Sequence, residues 1–187
     1  MKKLITMFIA IFIIAFTYAQ DDSAQSQISK GSIVMEFNTG ISGLGDMSMM
    51  QGSTAIQFTS VDDVSIYNIG FDGGYFIQDG LALKFGLGYG GYKWDDGDFD
   101  ESSNTFSYRL GVKYYVADTF PFQVDVTGAT IKDMDEDPMW LGLQGGYAFF
   151  LGSNVAIEPG LRYSISLNED FTDEGIFQLN VGLSVFF

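Results

Sequence analysis

From residue 32 onward the chain alternates between apolar and polar positions, and the alternation falls into eight segments. The first, residues 32–40, sets Ile33, Met35 and Phe37 against Glu36 and Asn38. The second, 64–77, sets Tyr67, Ile69, Phe71 and Tyr75 against Asn68, Gly70, Asp72 and Gly74. In the third, 81–94, Leu81, Leu83, Phe85, Leu87 and Tyr89 oppose Ala82, Lys84, Gly86, Gly88 and Gly90. The fourth alternates Phe106, Tyr108, Leu110, Val112 and Tyr114 with Ser107, Arg109, Gly111, Lys113 and Tyr115. The fifth, 122–131, is weaker, with Phe122, Val124 and Val126 against Gln123, Asp125 and Thr127. Leu141, Leu143, Tyr147 and Phe149 mark the sixth, and Val155, Ile157, Leu161, Tyr163 and Ile165 the seventh. The last, 176–187, aligns Phe177, Leu179, Val181, Leu183, Val185 and Phe187 opposite Gln178, Asn180, Gly182 and Ser184, with Phe186 the one apolar member of the polar face. A period of two is the mark of a β-strand with one oily and one polar side.

Connections alternate in length. Short ones fall at 78–80, 118–121 and 152–154, and Gly80 sits where a left-handed backbone is needed. The others are longer and polar, and the first of them, 41–63, holds Met47 to Met50 and a possible strand extension at 54–59. Segments of about 10 to 14 residues match or slightly exceed the roughly 9–11 that a tilted strand needs to cross a bilayer. An even count lets the first strand pair with the last and leaves no open edge. The pattern therefore predicts an all-β fold, an eight-stranded antiparallel up-and-down transmembrane β-barrel.

A water-soluble barrel would alternate too, but with its oily face inward and charge outside. Here the polar face is mostly Gly, Ala, Ser, Asn and Gln, residues suited to a cramped interior, and the apolar positions carry no charge. Aromatics gather near segment ends, with Tyr75, Tyr114, Phe122, Phe149 and Phe187 toward the short turns. Tyr89, Trp94, Phe106, Trp140 and Tyr163 lie toward the longer loops, so the two sets read as interfacial girdles.

The amino terminus stands apart from this pattern. Lys2 and Lys3 precede an apolar run, residues 4–16, and Thr17-Tyr18-Ala19 supplies small residues at a cleavage site. Residues 1–19 thus read as a secretory signal peptide, and the run is too short to span a bilayer as a helix. Residues 20–30 are polar and read as a flexible lead-in to a barrel over 31–187. Cleavage takes the formal charge from −15 to −17, because it removes two lysines. Such acidity argues against nucleic acid as a partner. The chain holds neither Cys nor His, so there is no disulfide and the commonest general base and zinc ligand are missing.

Eight charged residues fall on the inward face: Glu36, Asp72, Asp125 and Glu158 against Lys84, Arg109, Lys113 and Arg162. Equal numbers of each sign in a poorly hydrated interior should pair, and counting from the turns matches Asp72 with Lys84 and Lys113 with Asp125. The set reads either as an ion-selective lumen or as a polar plug, and the plug is preferred because eight strands leave room for side chains and little else. Acid dominates the loops, at Asp46, Asp62 and Asp63, then Asp95, Asp96, Asp98, Asp100 and Glu101. Asp133, Asp135, Glu136 and Asp137 follow, and then Glu169, Asp170, Asp173 and Glu174. Asp96, Asp98 and Asp100 present alternating carboxylates to a hard cation, but without the spacing of an EF-hand, so a solvated surface is the preferred reading. Gly86, Gly88 and Gly91 fit a dinucleotide fingerprint only in spacing, since they lie within a strand and open no helix.

The leader, the eight alternating segments and the closing stripe from Phe177 to Phe187 resemble the small outer-membrane β-barrel families of OmpX, OmpW and the OmpA barrel. The Tyr18-Ala19-Gln20 junction and Gly-rich hairpins look most like porin-family barrel proteins of the Bacteroidota. The resemblance implies location in the outer membrane of a Gram-negative bacterium and insertion by the barrel-assembly machinery, for which the stripe Phe177, Leu179, Val181, Leu183, Val185 and Phe187 would be the signal. No cofactor is expected. A role as an outer-membrane enzyme is set aside, because barrel lipases, acyltransferases and proteases of this membrane typically depend on His and the chain has none. The expected partners are outer-membrane lipid and divalent cations at the loops, and the expected state is a monomer. Two roles follow: a structural or surface-interaction barrel with a plugged lumen, or a narrow pore or conduit for ions or small apolar molecules.

Overall fold

The computed structural model describes residues 27–42, 56–61, 64–95, 100–132, 136–170 and 175–187. The leader (1–19), residues 20–26, the Met47–Met50 cluster and the acids at 46, 62, 63, 96, 98, 133, 135, 173 and 174 lie outside them.

Ten strand segments are present among the described residues: β1 (Ile33–Ser42), β2 (Ile56–Val61), β3 (Val64–Gln78), β4 (Leu81–Asp95), β5 (Asp100–Val116), β6 (Phe120–Ile131), β7 (Met139–Gly146), β8 (Phe149–Phe150), β9 (Val155–Ser166) and β10 (Ile176–Phe186). Neighbours pair antiparallel in the order β1-β10-β9-β7-β6-β5-β4-β3, and β1 also pairs with β3, which closes the wall. The result is a closed eight-stranded antiparallel barrel. The sixth stave is split, because the chain leaves the ladder at Tyr147 and Ala148 before β8 rejoins β9. The expected extension in the first long connection is β2, which runs along the outer part of β3 from Ile56↔Ile69 to Val61↔Val64. Pairing of β1 with β3 ends lower, at Glu36↔Asp72.

The short connections all lie at one end, called the turn end here. Gly80 has φ +74°, as its place in the turn requires, and Gly152 has φ +135°. The middle turn holds Ala117 and Asp118 at φ 49° and 59°, with Thr119 N–H donating to Val116 O at 3.2 Å. Consecutive left-handed residues suit the right-handed twist of the flanking strands.

The period-two faces sort as expected over most of the wall. Leu83, Phe85, Leu87, Leu110, Val112, Val124, Leu143, Leu161 and Leu179 all lie exposed on the outside. Three positions differ. Trp140, expected in the outer girdle, is 0% exposed, because its parity on β7 is that of the inward Gly142. Val155 and Val185 belong to the outward stripe by parity but are buried, and they face each other in register where β9 meets β10. The exposed side chains Tyr75, Tyr114, Phe122, Phe149 and Phe187 do ring the turn end, and Tyr89, Phe106 and Tyr163 stand outward nearer the loops.

Candidate functional site: the charge network in the bore

Inward parity carries all eight predicted charges into the barrel, each at most 8% exposed. They come from six strands and join into one alternating series. Glu158 on β9 pairs with Lys113 on β5, and Lys113 Nζ lies 2.7 Å from Glu36 on β1. Glu36 continues to Lys84 on β4 at 2.9 Å, and Lys84 to Asp72 on β3 at 3.1 Å. Arg109 Nη1 donates to Asp72 at 2.8 Å, and its Nε lies 3.7 Å from Asp125 on β6. The series ends where Arg162 on β9 donates to both Asp125 oxygens, at 2.7 and 2.6 Å. Each carboxylate therefore touches at least one cation, which offsets the cost of removing it from water.

Neutral groups complete the shell. Tyr115 Oη donates to Glu158 at 2.8 Å, Gln123 Nε2 to Asp125 at 2.7 Å and Thr127 Oγ1 to Asp125 at 2.9 Å. Arg109 Nε donates to Thr127 Oγ1 at 3.2 Å. Of the two pairs expected from the sequence, Asp72 with Lys84 forms. Lys113 with Asp125 does not, and register explains it. Asp125 stands opposite Gly111, while Lys113 stands opposite Gln123, one inward step nearer the turns. From there Lys113 reaches across the bore, and the fork of Arg162 takes Asp125 bidentately, as a planar guanidinium suits a carboxylate.

Glycine makes room for these long side chains. A Cβ on Gly111 would run into the Asp125 Cβ and Val124 O, and one on Gly142 would run into the Arg162 guanidinium. The roles of Tyr115, Gln123 and Thr127 were not assigned from the sequence. All three share inward parity with a charged neighbour two residues away, a signal present but too common to single them out.

Below the network, at the turn end, lies an apolar floor of Val34, Phe76, Ala82, Tyr115, Ala148, Ala156 and Phe186, with Ile28. Residues 27–30 of the expected flexible lead-in are packed against the barrel, with Gln27 and Ile28 buried. Their sequence is polar enough to pass for a linker, and only closure of the barrel creates the surface that Ile28 covers.

At the loop end, Thr130 Oγ1 donates to Asp137 at 3.1 Å, and Asn168 Nδ2 donates to Asp137 O at 2.9 Å, joining the third and fourth loops. Among the described residues no group of three or more His, Cys, Asp or Glu is placed to hold a metal. Asp96 and Asp98 lie outside those residues, and the side chain of Asp100 is not described.

No family model matches the sequence, and no curated protein matches it. The fold is similar to that of the outer membrane protein Ail of Yersinia pestis in a phospholipid bilayer nanodisc. That likeness has a TM-score of 0.50 at 10% identity and covers 84% of this chain and 100% of Ail. Further similar structures are the outer membrane protein OprG from Pseudomonas aeruginosa (TM-score 0.49, 11% identity, 85% and 97% covered) and the N-terminal β-barrel domain of OprF from the same organism (0.44, 15%, 84% and 98%). At these identities the likeness is one of fold, a closed antiparallel barrel of eight strands.

Proposed function

We propose that this chain is a small outer-membrane β-barrel protein with a plugged polar lumen, in a structural or surface-interaction role and without enzymatic activity. Its exterior supports the membrane reading: the exposed wall is built of Leu, Phe, Val and Tyr, which are stable against hydrocarbon and unsuited to water. The similarity to Ail in a bilayer supports the same reading. The leader at residues 1–19 supplies the export route, and the outward residues of the closing strand (Phe177, Leu179, Val181 and Phe187) present an apolar stripe for the assembly machinery. Acidic loops at the far end would face the medium and attract divalent cations and the anionic lipid headgroups those cations bridge.

One observation carries the plug. Lys113 projects from β5 and binds carboxylates on β1 and β9, each three staves away around the eight-stranded wall in opposite directions. A side chain so placed occupies the middle of the bore, and all eight charges of the network are engaged with one another. A lack of His and Cys leaves the interior without the usual general base or thiol nucleophile, which supports a non-enzymatic role.

The test is electrical. Purified refolded protein in a planar lipid bilayer should give no discrete conductance steps over the working voltage range. Regular steps from the unsubstituted chain would overturn the plug in favour of a narrow pore. Stable monomer in buffer without detergent would overturn the membrane reading itself.

A further inference from the structure

The floor of the bore is closed by something other than the charge network. Phe76, Tyr115 and Phe186 form a triangle of rings with centroids 6.0, 6.3 and 6.4 Å apart, and Phe150 lies 5.8 Å from Phe186. Against this layer sits Ile28, 2% exposed, with Gln27 beside it at 4%. Neither residue belongs to a strand.

Hydrogen bonds to the neighbouring hairpins hold the segment in place. Gln27 Nε2 donates to Gly152 O at 2.6 Å, and Gly80 N–H donates to Ile28 O at 2.7 Å. Lys30 N–H donates to Asp79 Oδ1 at 2.8 Å, and Gly31 N–H donates to Phe76 O at 2.8 Å. The anchors lie on two hairpins, β8–β9 for Gln27 and β3–β4 for the rest. In the closed strand order those two hairpins are four staves apart, which in a wall of eight is diametrically opposite. Residues 27–31 therefore cross the mouth from one side to the other.

We propose that residues 27–31 are a strap that seals the turn-end mouth of the barrel, so that access to the bore from that side is set by whether the strap is seated. The proposal rests on the barrel reading given above and adds a second closure, independent of the ion pairs. Among the described residues its holding groups include one apolar side chain, one amide and three backbone contacts, all at the turn end and none within a strand ladder. The ion network, in contrast, ties six strands of the wall together. Sub-global opening starts in segments outside the strand ladders, so the strap should release while the wall stays folded.

The absence of native cysteine makes the test direct. Ala82 is inward, buried in the floor and paired in register with Phe76. Ala82→Cys is introduced into the full chain, refolded in lipid vesicles and treated with a membrane-impermeant maleimide, folding being checked by heat-modifiable gel mobility. The thiol should react slowly when the strap is intact. With Ile28→Asp added, the rate should rise by about two orders of magnitude, since seating of the strap is what excludes the reagent. A milder pair, Gln27→Ala with Ile28→Ala, reads the same way should the first variant fail to fold. Fast labelling with the intact strap, or equally slow labelling in folded protein with the strap variants, would overturn the proposal. The conductance of the unsubstituted chain reports on the plug, whereas the ratio of labelling rates reports on the strap, so the two readings fail separately.

Discussion

The Lys113 ammonium and the Glu36 carboxylate meet at 2.7 Å although their strands, β5 and β1, stand on different sides of the bore. The same ammonium holds Glu158 of β9, so one side chain joins three parts of the wall that no backbone ladder connects. Lys113→Met should therefore cost about 3–5 kcal/mol, the range for breaking one partner out of a buried ion pair. Adding Glu158→Gln restores neutrality and should recover much of that loss. Urea unfolding in lipid vesicles measures both, and equal losses in the single and double variants would show that the pairing is not what stabilises the bore.

Leu110 and Tyr114 lie on the same outward face of β5, Leu110 at mid-wall with 64% exposure and Tyr114 beside the turn end. A cation on the lipid face costs about 2–4 kcal/mol at the bilayer midplane and about 0–1 near the interface. Leu110→Arg should therefore impair folding yield into vesicles strongly, and Tyr114→Arg should be nearly neutral. Indifference to both would mean that this face meets water.

Gly111 is forced by the close approach of β6. A methyl group there would run into Asp125 and Val124 O, backbone and Cβ atoms that cannot swing aside, and Asp125 would be pushed off Arg162. Gly111→Ala should cost about 1–3 kcal/mol, as overpacking does. Gly145→Ala, whose new atom would meet only the Phe122 ring at 3.3 Å, should cost less. Comparing their denaturant midpoints checks the ordering.

Tyr115 serves both layers, donating to Glu158 at 2.8 Å and packing its ring against Phe76 and Phe186. Tyr115→Phe keeps the ring and removes one hydrogen bond to a charged group, which should cost about 1.5–3 kcal/mol. The unfolding midpoint should fall with the slope unchanged. No change would mean that Glu158 is satisfied by Lys113 alone.

Much of the wall can be read from the chain, because side-chain direction in a strand repeats every two residues and needs no distant partner. That repeat placed Leu110 outside and Asp125 inside and delivered four acids and four bases to one compartment, while turn chemistry placed Gly80. Parity also held the answer for Trp140, but its aromatic character near a segment end suggested a girdle in its stead. Counting from the turns reached Asp72 with Lys84 on adjacent strands, but not the pairs across the bore, which depend on stagger and curvature once the sheet has closed. Lys113 missed Asp125 for that reason, standing opposite Gln123 while its ammonium crossed to β1 and β9.

By itself the sequence determined the strands, their two faces, the turn positions and the balance of charge, all properties of residues near one another along the chain. Tertiary closure decided the pairing of charges across the bore, the burial of Val155 and Val185, and the seating of Ile28 under a ring of aromatics. Both sets of outcomes follow from one physical difference: period and turn chemistry act over a few bonds, whereas a bore exists only when the first and last strands have met.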